Sequence, residues 1–77
     1  MKESKDELAI FSKNVAYLRK NNNLTAKEMA SVMGISEKSL LRIENGQIYK
    51  RLSVIVIFKL AHHFKYKVYQ MFEKLYM

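Results

Sequence analysis

The segment GISEKSLLRIENG holds the side chains whose types and spacing are best suited to chemistry. Leu40 and Ile43 lie three residues apart, so they share one face of a helix. Glu37, Lys38 and Arg42 must then face elsewhere, where they offer a carboxylate acceptor and two cationic donor groups. Because no nucleophile with a suitably spaced base accompanies them, these side chains are suited to binding a polar partner.

The ends of this segment are typical of a helix of less than three turns. Ser36 is a good N-cap, since its hydroxyl can accept a hydrogen bond from an amide of the first turn. Asn45 and Gly46 both tolerate the left-handed conformation that ends helices. The sequence therefore predicts a short helix between these ends, with Leu41 beside the charged side chains.

Two helices are predicted before this one. The first is amphipathic, with apolar residues at helical spacing, and it ends near residues 21–23. The second begins with a capping box formed by Thr25 and Glu28, and Gly34 is expected to end it. The apolar residues are Leu8, Phe11, Val15 and Leu18 in the first helix, and Met29, Ala30 and Met33 in the second.

Two more helices are predicted after a basic loop at residues 47–52. Ser53 caps a fourth helix that runs through Phe64, and a fifth spans about residues 67–75. A strand at VIVIF is the alternative, because β-branched residues suit strands, but a single strand without a partner would be unstable. The predicted inward residues are Val54, Ile57, Phe58, Ala61 and Phe64 in the fourth helix, and Val68, Met71, Phe72 and Leu75 in the fifth.

These elements predict a single, compact, all-α domain of five helices over residues 1–77. A chain of 77 residues buries a smaller fraction of its surface than a larger domain does, so its stability is expected to be marginal. The absence of cysteine excludes disulfides and thiolate metal sites. Oligomerisation is then the remaining means of stabilising so small a domain.

The net charge of +7 is unevenly distributed along the chain. Residues 8–77 contain 12 basic and 4 acidic side chains, because three of the acidic residues lie within the first seven. A basic body favours polyanionic partners, with nucleic acid first and an anionic membrane surface second. A solvated surface without a partner is the alternative.

Several other functions are not supported by the sequence. The opening residues MKESKDEL contain no apolar leader, and the longest apolar run, VIVIF, is too short to span a bilayer, so we expect a cytoplasmic protein with no membrane partner. His62 and His63 point about 100° apart on a helix and cannot bind one metal from a single face. We predict no metal, no cofactor and no enzymatic activity. Phe11, Phe58, Phe64 and Phe72 fall at core spacing, which favours packing over stacking on single-stranded bases.

The order of these signals resembles that of the phage-repressor and Cro-like helix-turn-helix family, also called the XRE family, over roughly residues 10–73. The matching stretches are LRKNNNLTAKEMA, MGISEKSLLRIENG and KLAHHFKYKVYQMF. Ala30 matches the small residue where two helices cross, and Gly34 matches the turn glycine. Leu40 and Ile43 match the buried positions of the recognition helix, and ENG matches its ending.

The sequence departs from this family at three places. Ala26 stands where members often carry a glutamine that contacts the DNA backbone. The loop after Gly46 is two residues longer than usual and lacks a proline. Lys65 and Lys67 replace the glycine and the capping serine that are common before the fifth helix.

The resemblance implies that the third helix enters the DNA major groove, which admits one helix. Lys38 and Arg42 can then donate to guanine, Glu37 can accept from cytosine, and Leu41 can pack on a thymine methyl. An exposed leucine and solvated charges are the alternatives for these positions. The predicted base-contacting residues are Ser36, Glu37, Lys38, Leu41 and Arg42.

Other positions are expected to hold the protein on the DNA or to support the fold. In this family Arg19 and Glu44 often form an ion pair beneath the motif. The predicted phosphate-contacting residues are Thr25 and Lys27 at the start of the second helix, Asn45 and Gly46 through their amides, and Lys50 and Arg51 in the loop.

We therefore predict a sequence-specific regulator, a repressor that binds a palindromic operator of double-stranded DNA as a homodimer. An antitoxin-like protein that mainly binds a second protein is the alternative, as is a pure protein-interaction module. No small-molecule effector is evident. The predicted dimer residues are Ile55, Val56, Tyr69 and Tyr76, together with Ile48, Tyr49 and Met77, although some of these can instead complete a monomer core.

Overall fold

The computed structural model describes residues 2–47 and 53–76, with side chains from residue 7 onward. Helix α1 spans Lys2–Asn21 and buries Phe11, Val15 and Leu18. It ends where the side-chain amide of Asn22 donates to the carbonyl of Leu18 at 2.7 Å. The backbone amide of Asn22 donates to the same carbonyl at 3.2 Å, so a residue of the predicted polar turn closes the helix and the predicted end is confirmed.

Helix α2 spans Ala26–Met33, and its start is the predicted capping box. The amide of Glu28 donates to the hydroxyl of Thr25 at 3.1 Å, and the amide of Thr25 donates to the Glu28 carboxylate at 2.8 Å. The helix ends at Gly34, whose φ of 72° lies in the left-handed region. Both predicted boundaries are confirmed, because each is encoded by a local hydrogen bond or backbone preference.

Helix α3 spans Glu37–Glu44 and begins with the predicted cap, since the amide of Ser39 donates to the Ser36 hydroxyl at 3.1 Å. Only one of the two predicted stop residues is left-handed: Gly46 has a φ of 80°, whereas the φ of Asn45 is −86°. Helices α2 and α3 pack directly against each other. This pair is the helix-turn-helix arrangement.

Helix α4 spans Val54–His63, so VIVIF is helical as predicted. Its predicted inward face is partly wrong, because Val54 is 74% and Phe58 61% exposed. The helix is apolar all round at VIVIF, so the pattern there cannot select the buried side. The residues that pack inward are Leu60 and Ala61, which are buried, and Val56, Ile57 and Phe64, which are half-buried.

The fifth helical element is a 3-10 helix over Val68–Phe72, shorter than the α-helix predicted for residues 67–75. Met71 is fully buried, whereas Val68 is exposed rather than inward-facing. The chain becomes extended at Glu73, with φ −109° and ψ 152°. The described residues are therefore all-α, with four α-helices and one 3-10 helix, and the predicted fold class is confirmed.

The core lies between the five helical elements, and every element contributes to it. Three methionines fill it alongside aliphatic and aromatic side chains, and flexible thioethers suit such irregular space. Within the residues described, no helix is both long and apolar enough to cross a membrane. The buried apolar residues are Phe11, Val15, Leu18, Met29, Ala30, Met33, Leu40, Ile43, Leu60, Ala61 and Met71.

Candidate nucleic-acid interface

One face of α3 consists of exposed residues at positions 37, 38, 41, 42 and 45. Leu41 is 46% exposed and lies among charged neighbours. In the part of the chain that the structure describes, no hydrogen bond or ion pair engages the side chain of Lys38 or Arg42. Their donor groups are therefore available to a partner that meets this face.

The opposite side of α3 is fixed to the body of the domain. Leu40 and Ile43 are buried. At the end of the helix, Nε of Arg19 donates to Oε2 of Glu44 at 2.6 Å, and Nη2 donates to Oε1 at 3.0 Å. Two parallel bonds of this kind restrain orientation as well as distance. The outward face of α3 is thus presented by a helix that is held at both its buried side and its last residue.

Arg19 joins three parts of the fold. Its Nη1 also donates to the carbonyl of Leu24 at 3.4 Å, in the turn between α1 and α2. The Arg19 and Glu44 side chains are only 19% and 9% exposed. The hydrogen bond to Glu44 raises the pKa of the Arg19 guanidinium, while partial burial opposes that rise. A carboxylate is unfavourable at the negative end of a helix, and the guanidinium of Arg19 compensates for it.

Ser36 is exposed, but its hydroxyl already takes part in capping. It accepts from the amide of Ser39, and the hydroxyls of Ser36 and Ser39 lie 3.0 Å apart in a hydrogen bond. Of the five predicted base-contacting residues, Ser36 therefore has the least remaining hydrogen-bonding capacity. Glu37, Lys38, Leu41 and Arg42 are left as the residues with fully available outward groups.

The beginning of α2 carries two predicted phosphate contacts and one unpredicted opposing charge. Thr25 and Lys27 are both exposed there, as a phosphate site requires. Glu28 holds its carboxylate against the amide of Thr25 at 2.8 Å. That carboxylate stabilises the helix start, but it also repels an approaching phosphate. Sequence reasoning identified the capping box without recognising this consequence for DNA.

The amides of Asn45 and Gly46, which were predicted to contact phosphate, already have partners in the structure described. The amide of Asn45 donates to the carbonyls of Leu41 and Arg42, and the amide of Gly46 donates to Ile43 at 2.9 Å. The physical reason is helix polarity, because unpaired amides occur at the first turn of a helix and unpaired carbonyls at the last. The exposed side chain of Asn45 is the remaining donor at this position.

The remaining predicted phosphate contacts, Lys50 and Arg51, lie outside the described residues, as do Ile48, Tyr49 and Met77 of the predicted dimer surface. Gln47 is the last residue described before position 53, and it is exposed. Its amide donates to the carbonyl of Arg42 at 2.8 Å, which closes the end of α3. The chain therefore leaves α3 from a defined position.

The predicted dimer residues differ in exposure. Ile55 and Tyr69 are exposed, whereas Val56 and Tyr76 are half-buried, and Val56 packs against the core. Their predicted exposure is therefore only partly correct. Exposed Val54 and Phe58 lie beside Ile55 on successive turns of α4. We call Val54, Ile55 and Phe58 the α4 apolar stripe.

The adjacent histidines are both exposed on the end of α4. The ring of His63 packs edge-on against Phe64, with centroids 4.8 Å apart. Among the residues described, no three His, Cys, Asp or Glu side chains come together in a group that could hold a metal ion. Nothing in the described part of the chain assigns these histidines a ligand.

Asn14 is a fully buried polar residue that sequence analysis missed. Its amide nitrogen donates to the carbonyls of Met71 at 2.7 Å and Glu73 at 2.6 Å, and its oxygen accepts from the amide of Leu75 at 3.0 Å. One signal could have revealed it, because position 14 falls on the buried face with Phe11 and Leu18. A polar residue on such a face requires partners.

Lys59 is a second residue missed from the sequence. A Cβ placed on Gly34 would lie 2.8 Å from Nζ of Lys59, so the ammonium of α4 lies beside the turn of the helix-turn-helix. Helix α2 has no basic residue in its own last turn. Cations stabilise helix C-termini, and Lys59 supplies one from a neighbouring helix.

Comparison with known families agrees with this geometry. A family model described as helix-turn-helix matches residues 15–70. The match contains α2, α3 and α4, and with them the exposed face of α3 and both members of the Arg19–Glu44 pair. No curated protein and no solved structure matches the chain.

Proposed function

The chain belongs to the XRE-type helix-turn-helix family of DNA-binding regulators, and we propose that it is a cytoplasmic transcriptional repressor that binds a palindromic operator as a homodimer. The observation that carries this proposal is the exposed face of α3, on which Lys38 and Arg42 have donors available. The rest of that helix is held by buried residues and by the Arg19–Glu44 pair. A rigidly held helix with an open polar face is what base readout requires.

Base selection is assigned to the outward residues of α3. Lys38 and Arg42 donate to the O6 and N7 acceptors of guanine, and Glu37 accepts from the amino group of cytosine. Leu41 supplies the apolar contact that a thymine methyl favours. Ser36 makes a smaller contribution, because its hydroxyl also caps the helix.

Phosphate contacts position the protein on either side of the groove without selecting sequence. We assign them to Thr25 and Lys27 at the start of α2, to the side chain of Asn45, and to Lys50 and Arg51. The positive end of α2 and its first-turn amides favour an anion there. The net charge of +7 adds a long-range attraction to DNA.

The homodimer is supported by apolar residues that this small domain leaves in solvent. The α4 apolar stripe and Tyr69 are exposed, which is unusual for so many large apolar side chains on one helix and its neighbour. Half-buried Val56 lies next to this surface on α4, whereas Tyr76, the other predicted dimer residue, faces Lys13 of α1. A two-fold pairing would place two α3 helices about 34 Å apart, matching successive major grooves.

Selection of bound sites from a random duplex library tests the proposal directly. We expect an imperfect palindrome whose half-site centres are about 10 base pairs apart. Sedimentation equilibrium of the wild-type chain and of Tyr69→Asp tests the dimer separately. A monomer at all concentrations that selects one non-palindromic site would refute the homodimer and leave a one-domain DNA reader. Failure to enrich any duplex would refute the proposal that the chain is a sequence-specific DNA-binding regulator.

A further inference from the structure

The two parts of the chain that flank the family match pack against each other. The match covers residues 15–70, and contacts across the remaining segments are specific. The rings of Phe11 and Phe72 stack with centroids 5.3 Å apart. Asn14 binds the backbone of residues 71–75. The surface that these two segments form therefore lies outside the residues that match the family model.

That surface has a cleft of about 310 Å³, which we call the terminal cleft. Its lining consists of Ala9, Ile10 and Lys13 from α1, and Lys74 and Tyr76 from the segment after the 3-10 helix. Nζ of Lys13 lies 5.8 Å from the centroid of the Tyr76 ring, within the range of a cation–π contact. The cleft thus combines two cationic side chains with the apolar residues Ala9 and Ile10 and the aromatic ring of Tyr76.

The terminal cleft is separate from the proposed DNA-contacting surface. Lys13 precedes Arg19 by six positions on α1, which is about 9 Å along the helix axis. Arg19 faces the end of α3, whereas Lys13 faces Tyr76. None of the residues that line the cleft belongs to the groups assigned to bases or phosphates.

We propose that the terminal cleft binds an acidic peptide segment of a partner protein, with Lys13 and Lys74 pairing its carboxylates and Ile10 and Tyr76 packing on an adjacent apolar side chain. Charge complementarity favours carboxylates, because the described residues that line the cleft include two lysines and no acidic side chain. Ala9, Lys13 and Lys74 are exposed, so the cleft is too open to enclose a small molecule as ligand pockets do. A peptide that crosses the cleft needs no such enclosure.

Selection from a displayed library of random dodecapeptides, with the intact chain as bait, tests this inference. We expect enriched peptides to combine Asp or Glu with an apolar residue. Their affinity should fall roughly tenfold or more for the double variant Lys13→Glu/Lys74→Glu, because like charges then face each other. The matched control is Lys65→Glu/Lys67→Glu, which makes the same charge change at exposed positions outside the cleft and should retain binding.

Two further measurements keep the result specific. Amide chemical shifts of the labelled chain, titrated with an enriched peptide, should move at the residues that line the cleft. Lys13→Gln/Lys74→Gln should weaken binding in the same direction without introducing repulsion. The inference is overturned if no peptide is enriched, if the enriched peptides lack acidic residues, or if both charge-reversed variants bind equally. It is also overturned if the cleft variant changes the selected DNA sequence, which would assign the cleft to DNA. None of these outcomes depends on whether the chain is a repressor.

Discussion

The side chain of Asn14 donates a hydrogen bond of 2.7 Å to the carbonyl of Met71, 57 residues later in the chain. The same side chain binds Glu73 and Leu75, so one buried amide satisfies three backbone groups. An α-helix continuing through residue 75 would have paired such groups internally. Asn14 thus stabilises a C-terminal segment that leaves the helical conformation at Glu73.

Asn14→Ala is expected to destabilise the domain by about 3 kcal/mol, because it leaves several partly buried backbone groups without partners. Urea unfolding followed by circular dichroism measures the change. Asn21→Ala, at an exposed position on the same helix, is the control and should stay within about 0.5 kcal/mol of wild type. A cost for Asn14→Ala no larger than that of the control would show that water replaces these bonds without penalty.

Breaking the pair beneath α3 should be similarly costly. Glu44→Ala is expected to lower the free energy of unfolding by about 3 kcal/mol, because the guanidinium of Arg19 is left mostly buried without its carboxylate. Glu44→Gln should lose somewhat less, since it keeps one acceptor. Glu37→Ala removes an exposed carboxylate from the other end of α3 and serves as control. If both Glu44 variants cost under about 0.5 kcal/mol, the pair contributes no more than a surface contact.

Ser12→Ala should stabilise the protein. The Ser12 side chain is only 3% exposed, and its hydroxyl has no hydrogen-bond partner among the residues described. Removing a buried group without a partner and substituting a better helix former should together raise stability by about 1 kcal/mol. The exposed Ser31→Ala on α2 reports the helix-propensity part alone. Equal gains in melting temperature for the two variants would mean that burial of the Ser12 hydroxyl carries no cost.

Glu28→Gln should change stability and DNA affinity in opposite directions. The amide keeps the capping acceptor but loses the charge that stabilises the start of α2, so stability should fall by about 0.5 kcal/mol. Loss of a negative charge beside the assigned phosphate contact should raise affinity for all duplexes roughly twofold at low salt. Glu73→Gln makes the same charge change away from α2. Fluorescence anisotropy at several salt concentrations measures the DNA affinity of both variants. An equal gain in affinity for Glu28→Gln and Glu73→Gln would show that no phosphate lies near Glu28.

Base readout and phosphate positioning should be separable by mutation. Lys38→Ala and Arg42→Ala are expected to weaken operator binding by about 1–3 kcal/mol each and to relax preference at particular base pairs. Lys50→Ala and Arg51→Ala should weaken all sequences alike and flatten the salt dependence. Site selection repeated with each variant measures both effects. An unchanged sequence preference after loss of Lys38 and Arg42 would remove them from the readout.

The sequence predictions were most accurate for features that depend on interactions between residues close together in the chain. Thr25, Ser36 and Ser53 were recognised as caps because each bonds to a residue two or three positions ahead. The buried side of α4 was misjudged, since VIVIF presents apolar residues in every direction. The early end of the fifth helical element was missed because Asn14, which binds the residues at and after that end, lies 57 residues from Met71 and no local pattern links them.

The same distinction applies to the candidate site. Charged residues on α3 were predicted to face outward from the spacing of Leu40 and Ile43 alone, and the structure places them there. Their contacts with bases remain predictions. The sequence did not reveal that the amides of Asn45 and Gly46 are already paired, because their pairing depends on where the last helical hydrogen bonds form. Lys59 was overlooked since only tertiary packing brings it beside Gly34.

The contacts of Asn14 also determine when this fold can be completed during synthesis. A chain leaves the ribosome from its first residue onward, and domains fold as their parts emerge. The helix-turn-helix pair is packed mainly by contacts among α1, α2, α3 and α4. All four helices are synthesised before residue 64. The hydrogen-bond partners of Asn14 are Met71, Glu73 and Leu75, which are synthesised last. Its side-chain amide therefore lacks partners until those residues have emerged from the ribosome. The nascent domain can therefore fold with full cooperativity only after the segment that follows the 3-10 helix has been synthesised. The same segment lines the terminal cleft.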